Sequence, residues 1–115
     1  MASKANIVVD QGATFTTTLN LTDDNGQPID LTGYSVVGQF KRWYTSTNSF
    51  SFVASIPTPS TGQIDLMLDA NATSNLYPGR YVYDVITIDG SGNVIRIVEG
   101  ILSITPGVSD QVLLP

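Results

Sequence analysis

Reactive side chains are scarce in this chain, because its 115 residues include no histidine and no cysteine. General acid–base chemistry at neutral pH would therefore need a strongly shifted carboxylate or lysine, and neither thiolate nor imidazole metal ligands are available. Turnover would have to come from carboxylates alone, as in glycoside hydrolysis, and the sequence contains no recognisable pair of facing acids. We therefore expect a protein that is not an enzyme and that carries no cofactor.

Three aspartates, Asp23, Asp24 and Asp30, crowd one predicted loop. Carboxylates beside asparagine and backbone carbonyls are ligands that suit calcium. The EF-hand pattern is not met, because a bidentate glutamate at the required distance is missing. We interpret the cluster as a solvated turn, with a calcium site as the alternative, and we predict no metal site.

Asp84 lies between apolar residues in a predicted central strand, where a buried carboxylate would need a partner. The available cations are Arg80 and Arg96. One interpretation is structural: an ion pair, or an aspartate bonded to backbone, that holds a hairpin together. The other is a catalytic acid with a perturbed pKa. We favour the structural role, since the sequence offers neither a nucleophile nor a second carboxylate at fixed spacing.

The densest cluster of aromatic and cationic residues is the run Lys41-Arg42-Trp43-Tyr44. Arginine, tryptophan and tyrosine are the residue types that most often anchor protein interfaces. Arg42, Trp43 and Tyr44 are therefore candidate partner-binding residues. Two alternatives remain open: Trp43 closes one end of the core, or Trp43 and Tyr44 stack on a sugar ring in a glycan-binding module.

A C-terminal tail, residues 108–115, ends in the run Val112-Leu113-Leu114-Pro115. Exposed leucines are unusual on a soluble monomer. Val112, Leu113 and Leu114 therefore complete the candidate partner-binding set. We expect the tail to contact a neighbouring molecule, for example by adding to a sheet edge, with folding back over its own domain as the alternative.

Charge and composition exclude several classes of partner. The formal net charge is −5, and only 13% of residues are charged. Clustered positive charge is missing, so we expect no nucleic-acid partner and no attraction to anionic membranes. No apolar stretch approaches the length of a membrane span, and the N-terminus lacks the apolar region of a signal peptide. We therefore expect synthesis in a cytoplasm.

The chain divides into segments in which apolar and polar residues alternate, with Gly, Pro, Asn and Asp between them. This pattern predicts about seven strands, at 6–10, 13–21, 34–44, 49–56, 63–68, 80–88 and 94–105. One short helical turn is predicted near 70–76, capped by Asp69. Gly38 indicates a bulge or a close backbone approach, and Gly100 a bulge. We predict an all-β domain, residues 1–107, built as a two-sheet immunoglobulin-like sandwich.

Three segments together carry a family resemblance that covers most of the chain. They read IVVDQGATF at 7–15, DNGQPIDLTGY at 24–34 and PGRYVYDV at 78–85, followed by RIVEG at 96–100 and TPGV at 105–108. In order and spacing the set resembles small virion structural proteins of tailed bacteriophages, especially of T4-like marine cyanophages. It is also similar to the N-terminal domain of siphophage baseplate upper proteins, in which further domains follow.

The resemblance implies a β-sandwich that packs against other virion proteins. We therefore expect a non-enzymatic structural protein of the virion, made in the host cytoplasm. It would act as a capsid decoration or cement protein, or as a tail-baseplate accessory, through multivalent protein–protein contacts. The expected partners are major capsid, tail or baseplate proteins and symmetry-related copies in a homo-oligomer. The alternative is a small glycan-binding module on the virion surface.

Overall fold

The alternating segments form nine strands in the computed structural model, which describes residues 3–107. Their bounds are β1 Ser3–Lys4, β2 Ile7–Asp10, β3 Phe15–Asn20, β4 Ser35–Lys41, β5 Phe50–Ser51, β6 Val53–Ser55, β7 Gln63–Leu68, β8 Gly79–Ile88 and β9 Val94–Thr105. A 3-10 turn, Pro59–Thr61, precedes β7, and one short helix, α1 (Ala70–Ser74), follows it. The predicted helical turn is thus confirmed, and the Asp69 carboxylate accepts a hydrogen bond from the Ala72 N–H at 2.7 Å.

Two sheets face each other across the core, as predicted for a β-sandwich. The larger sheet has the order β1-β9-β8-β4-β5, with β2 also pairing with β9, and the smaller sheet has the order β3-β7-β6. Strands β1 and β2 run parallel to β9, whereas every other pair of neighbours is antiparallel. Inward-facing apolar side chains from both sheets form one core, which includes Val9, Phe40, Ile64, Leu66, Val85 and Leu102.

A tyrosine corner supports the immunoglobulin-like assignment. Tyr81 lies near the start of β8, and its hydroxyl donates a hydrogen bond to the Tyr77 carbonyl at 2.9 Å. In immunoglobulin sandwiches a tyrosine at the corresponding corner bonds backbone a few residues upstream in the same way. The bond fixes the segment before β8 against the core.

The prediction of one continuous strand over 49–56 is wrong. The chain changes sheets at Phe52, because β5 pairs with β4 in the larger sheet and β6 pairs with β7 in the smaller one. Phe52 is buried between the sheets, and its N–H donates to the Gly38 carbonyl at 2.9 Å. Burial of this ring outweighs the continuation of a single ladder, and it leaves Phe50 partly exposed.

The two strand glycines have different roles. At Gly38 the expected close approach is confirmed, because a Cβ there would lie 3.1 Å from the Phe52 ring. The bulge expected at Gly100 lies instead at Ile97, since Val85 pairs with Val98 while the next residue of β8 pairs with Arg96. Gly100 is needed for another reason, because a Cβ at this position would overlap the Ala5 carbonyl.

Candidate interaction surface

The register of β4 and β8 brings two separate segments to one end of the sandwich. The strands are antiparallel, with Lys41 opposite Val82, so the chain leaves β4 where it enters β8. A groove of about 720 Å³ lies between the two segments. We call this surface the aromatic end and define it by the principal side chains that line the groove, which are Arg42, Trp43, Phe50, Tyr77, Pro78 and Tyr81.

Large aromatic side chains are exposed at the aromatic end. The exposed fraction is 66% for Trp43, 84% for Tyr77 and 40% for Phe50. The interpretation in which Trp43 closes one end of the core is therefore wrong, because most of its surface faces solvent. Exposed aromatic rings around a concave surface are typical of interfaces and ligand sites.

Arg42 links the exposed rings to the core. Its guanidinium carbon lies 5.1 Å from the centre of the buried Tyr81 ring and 5.9 Å from that of Trp43. The guanidinium also donates a long hydrogen bond, 3.5 Å, to the Pro78 carbonyl. Cation–π contacts with both rings hold this side chain in place. Arg42 therefore connects the exposed Trp43 ring to the buried Tyr81 ring.

A tight turn presents Trp43. Its N–H donates to the Ser46 hydroxyl at 3.0 Å, and its carbonyl accepts from the Ser46 N–H at 3.0 Å. The turn continues into Thr47 and Asn48, which give the groove a rim of hydroxyl and amide groups. The groove thus combines aromatic rings and the Arg42 guanidinium with neutral hydroxyl and amide groups.

Tyr44 belongs to a different surface from its neighbour Trp43. Its side chain is 81% exposed and lines a smaller depression, of about 460 Å³, on the outer face of the larger sheet, beside Lys41 and Val82. Of the predicted set, the structure thus joins Arg42 and Trp43 in one groove and separates Tyr44 from them. Tyr77 lines the groove but is absent from the predicted set, because its place beside Pro78 indicates only a turn and not the 84% exposure of its ring.

Three predicted partner-binding residues, Val112, Leu113 and Leu114, lie outside the described residues, so their role stays a prediction. The described chain ends at Gly107, whose N–H donates to the Gln11 side-chain oxygen at 3.1 Å. The Gln11 amide in turn donates to the Leu76 carbonyl at 2.8 Å. The last described residue is therefore linked to the segment that precedes Tyr77.

Asp84 forms the expected ion pair, on the outer face of the larger sheet. Arg96 Nε lies 3.1 Å from Asp84 Oδ2, and its Nη1 lies 3.4 Å from Glu99 Oε2. Lys4 Nζ extends the network at 3.9 Å from Glu99 Oε1. Arg96, and not Arg80, is the partner, and Asp84 is only half-buried, which corrects the expectation of a buried carboxylate. The pairs connect β1, β8 and β9, and their partial exposure keeps their contribution to stability small.

The aspartates of the 21–34 loop organise their own turns. Asp23 accepts from the N–H groups of Asn25 and Gln27 at 2.9 and 3.0 Å. Asp30 accepts from the Thr32 hydroxyl at 2.6 Å and from the Thr32 N–H at 3.0 Å, and these two bonds lower the pKa of Asp30. Within residues 3–107 no three acidic side chains are grouped to hold a metal ion. The hydrogen bonds of Asp23 and Asp30 agree with the turn interpretation for these two residues.

Comparison with known proteins adds information about the fold. No family model and no curated protein matches the chain. Among solved structures, the internalin-like protein lmo2027 of Listeria monocytogenes is similar, with a TM-score of 0.51 and 21% identity over 90% of this chain. The match covers 28% of that longer protein. In the described chain no helix has the length and apolarity needed to span a membrane. The likeness, at this identity, is a likeness of fold.

Proposed function

We propose that this protein is a non-enzymatic structural component of a tailed-phage virion, acting through repeated protein–protein contacts. The family resemblance of segments 7–15, 24–34 and 78–85 supports this role, and the immunoglobulin-like sandwich agrees with the fold that the resemblance implies. The proposed partners are capsid, tail or baseplate proteins. In the particle the chain acts as a decoration or cement protein, or as a baseplate accessory, after synthesis in the host cytoplasm.

The observation that carries the proposal is the exposure of Trp43 and Tyr77 at the aromatic end. Covering these rings with a partner removes apolar surface from water, and tryptophan, tyrosine and arginine dominate the energies of measured interfaces. Arg42 already stacks on Tyr81 in the free protein. Because Arg42 is already ordered, binding loses little further side-chain entropy at this residue.

The remaining surface suits contacts with several neighbours. Only 13% of residues are charged, so few ions lose their hydration when the protein packs against a partner. The aromatic end alone is small, and one such contact is weak. Many symmetry-related copies on one particle supply the retention that a single contact lacks.

Co-sedimentation with phage particles tests the proposal. We expect the full-length protein to be found in virions by mass spectrometry and to co-sediment with particles that lack it. Trp43→Ala should lower retention at least about tenfold, which corresponds to about 1.4 kcal/mol. Val94→Ala is the matched control, because it truncates another exposed apolar residue, next to the 89–93 loop at the other end of the sandwich.

Two outcomes would contradict different parts of the proposal. A protein that never co-sediments and is missing from virion mass spectra has no virion role. If Trp43→Ala and the control are both retained normally, the virion role stands. The aromatic end would then not be the surface that contacts the particle.

A second candidate function is glycan binding in the same groove. It is favoured by Trp43 and Tyr77, whose exposed faces flank hydroxyl and amide groups of Thr45, Ser46 and Asn48. Aromatic rings stack on sugars, and neutral polar groups can bond their hydroxyls. A glycan array should then give micromolar to millimolar binding that Trp43→Ala abolishes without loss of folding. Co-sedimentation with particles, measured with and without the sugar, would separate the two functions. Retention that the sugar does not change would mean that the groove does not hold the protein on the particle.

A further inference from the structure

Strand β3 forms an open edge of the smaller sheet. The first strands of the chain, β1 and β2, pair with β9 in the larger sheet, so they do not cover β3. Strand β3 pairs with β7 on one side. Along its other side, no backbone hydrogen bond from residues 3–107 reaches Phe15–Asn20. Unpaired backbone groups on a strand edge are a template for another strand.

The other edges of the two sheets are each protected. Strand β5 has two residues, and β6 has three and is followed closely by Pro57. The edge formed by β1 and β2 is interrupted and carries Lys4 and Asp10. Short strands, prolines and charges are the devices that prevent edge pairing. Among the edge strands of the described chain, β3 is the longest, with six residues. Its sequence, FTTTLN, contains no charged residue and no proline.

The direction of the backbone groups along β3 follows from the bond just beyond its end. Leu21 N–H donates to the Gly62 carbonyl at 2.8 Å, and Gly62 immediately precedes β7. Backbone groups of successive residues point to alternate sides of a strand. The odd-numbered residues of β3 therefore bond to β7, and the N–H and C=O groups of Thr16, Thr18 and Asn20 point to the open side.

We propose that β3 pairs with β3 of a second copy of this chain, antiparallel about a two-fold axis at Thr18. In this register Thr18 lies opposite itself, and Thr16 lies opposite Asn20 of the other copy. The outward groups then form three residue pairs with two hydrogen bonds each, about six in all. The two smaller sheets become one sheet of six strands. A symmetric pair of this kind uses the same patch on both copies.

The side chains of β3 suit a second copy. Thr16, Thr18 and Asn20 are exposed and uncharged, and threonine pairs across strands are favourable. On the core side, half-buried Leu19 gains cover from Thr17 of the other copy. This pairing thus brings together polar groups on the outer face and adds apolar contact on the inner face.

The net negative charge does not oppose this pairing. The nearest carboxylate, Asp65 on β7, accepts from the Thr18 hydroxyl at 3.0 Å. Three strand spacings, about 14 Å, would separate the Asp65 residues of the two copies. This distance exceeds the Debye length of about 8 Å at physiological ionic strength.

The β3 edge is a different surface from the aromatic end, and its pairing does not depend on the proposed function. Trp43→Ala removes no group from β3. Loss of particle retention in that variant and loss of self-pairing in a β3 variant are therefore separate results.

Engineered cysteines test the register, because the chain contains none of its own. Directly opposite residues with hydrogen-bonded backbones have Cα atoms about 5.5 Å apart, within the range that a disulfide spans. Thr18→Cys should therefore form a covalent dimer under mild oxidation. Thr16→Cys is the matched control on the same face of the same strand, and its copies would be about 14 Å apart. We expect at least a tenfold difference in the rate of crosslinking.

A mixture sharpens the same test. Thr16→Cys and Asn20→Cys should crosslink to each other when mixed, and neither should crosslink efficiently alone. Equal crosslinking of Thr16→Cys and Thr18→Cys, or no covalent dimer from Thr18→Cys, would overturn the proposed pairing.

Sedimentation equilibrium of the full-length protein supplies an independent measurement. The wild type should dimerise as its concentration rises to about 1 mM. Thr18→Pro removes an outward N–H that β7 does not use, and proline is tolerated at such edge positions. It should weaken dimerisation at least about tenfold, while Trp43→Ala dimerises like the wild type. If the wild-type protein stays monomeric over the whole concentration range, a second copy does not pair with this edge and the proposal is wrong. This outcome does not depend on whether Thr18→Pro folds.

Discussion

The two ends of the sandwich differ in whether their side chains already have partners within the chain. At the aromatic end, Trp43 and Tyr77 remain open to solvent above a buried tyrosine. The other end, formed by the 21–34 and 89–93 loops, is rich in carboxylates that bond to their own turns. There Asp89 accepts from the N–H groups of Ser91 and Asn93 at 2.9 and 3.0 Å. We call this second region the carboxylate end.

This difference shows where a partner gains most. A partner at the carboxylate end would have to compete with hydrogen bonds that Asp23, Asp30 and Asp89 already make within their loops. A partner at the aromatic end removes apolar surface from water and displaces no such bonds. Carboxylates that shape their own loops and exposed aromatic rings thus lie at opposite ends of the strands.

The largest expected effect on the free energy of unfolding comes from Tyr81, the buried tyrosine of the aromatic end. The Tyr81 ring packs edge-on against Phe40 and Phe50, 5.6 and 6.1 Å between ring centres, and lies under Arg42. Tyr81→Ala should lower the free energy of unfolding by about 3–5 kcal/mol, measured by urea denaturation. Tyr81→Phe keeps the ring and loses the bond to Tyr77, so it should cost about 1 kcal/mol. Equal losses in both variants would mean that the ring packing contributes little.

A glycine at the carboxylate end gives the next effect. Gly62 has a φ of +69°, and a Cβ there would lie 2.5 Å from the Leu21 carbonyl. Gly62→Ala should therefore cost about 1–3 kcal/mol or more, measured in the same urea experiment. Gly26 has a φ of +78° and open space around it, so Gly26→Ala tests the backbone strain without the clash and should cost less. The two costs would be equal if the loops did not pack closely at Gly62.

Truncation of the exposed ring should have little effect on stability. Because two thirds of Trp43 faces solvent, Trp43→Ala should change the free energy of unfolding by no more than about 0.5 kcal/mol. Compared with the Tyr81→Ala result, this result would show that Tyr81 stabilises the fold and that Trp43 does not. A loss of about 2 kcal/mol or more would show instead that Trp43 serves the fold of its own chain.

The smallest effect is a pH dependence at the carboxylate end. Backbone and side-chain hydrogen bonds from Asn93 lower the pKa of Asp89, and those from Thr32 lower the pKa of Asp30. A carboxyl whose pKa is lower in the folded state stabilises the fold above its unfolded pKa, 3.8, and this contribution is lost as pH falls through the folded value.

Urea denaturation at a series of acidic pH values measures this loss. Asp89→Asn should be less stable than the wild type at neutral pH, and its stability should fall less steeply between about pH 5 and about pH 2. Both effects should be small, since the Asp89 carboxylate lies at the surface, where water screens its charge. An unchanged slope in Asp89→Asn would show that the turn bonds at this end do not depend on ionisation.

Alternation along the sequence was sufficient to predict most strands. In β3 the half-buried Phe15 and Leu19 alternate with exposed threonines, and in β7 the buried Ile64 and Leu66 follow the same rule. The sheet change at Phe52 was not predictable, because it depends on which distant strands accept β5 and β6 as neighbours. Local periodicity carries no information about that choice.

The candidate site was predicted in part. Residue type alone indicated Arg42 and Trp43, which share the groove, while the position of Tyr77 opposite them depends on the β4–β8 register and on the tyrosine corner. Exposure of Trp43 is likewise a property of the folded turn that includes Ser46. A linear sequence shows which residues are fit for contact and does not show which of them the fold leaves uncovered.

Parallel pairing of the first strands with the last has a mechanical consequence. Ile7 lies beside Leu102 and Asp10 beside Thr105, so the chain enters and leaves the larger sheet along adjacent, co-directional strands. Tension applied between Ser3 and Gly107 would pull these strands past each other lengthwise and load their hydrogen bonds together in shear. Sequential unzipping, in which bonds break one at a time under low force, is not open to this arrangement. Stretching the domain by these two residues would therefore require the β2–β9 hydrogen bonds to break together.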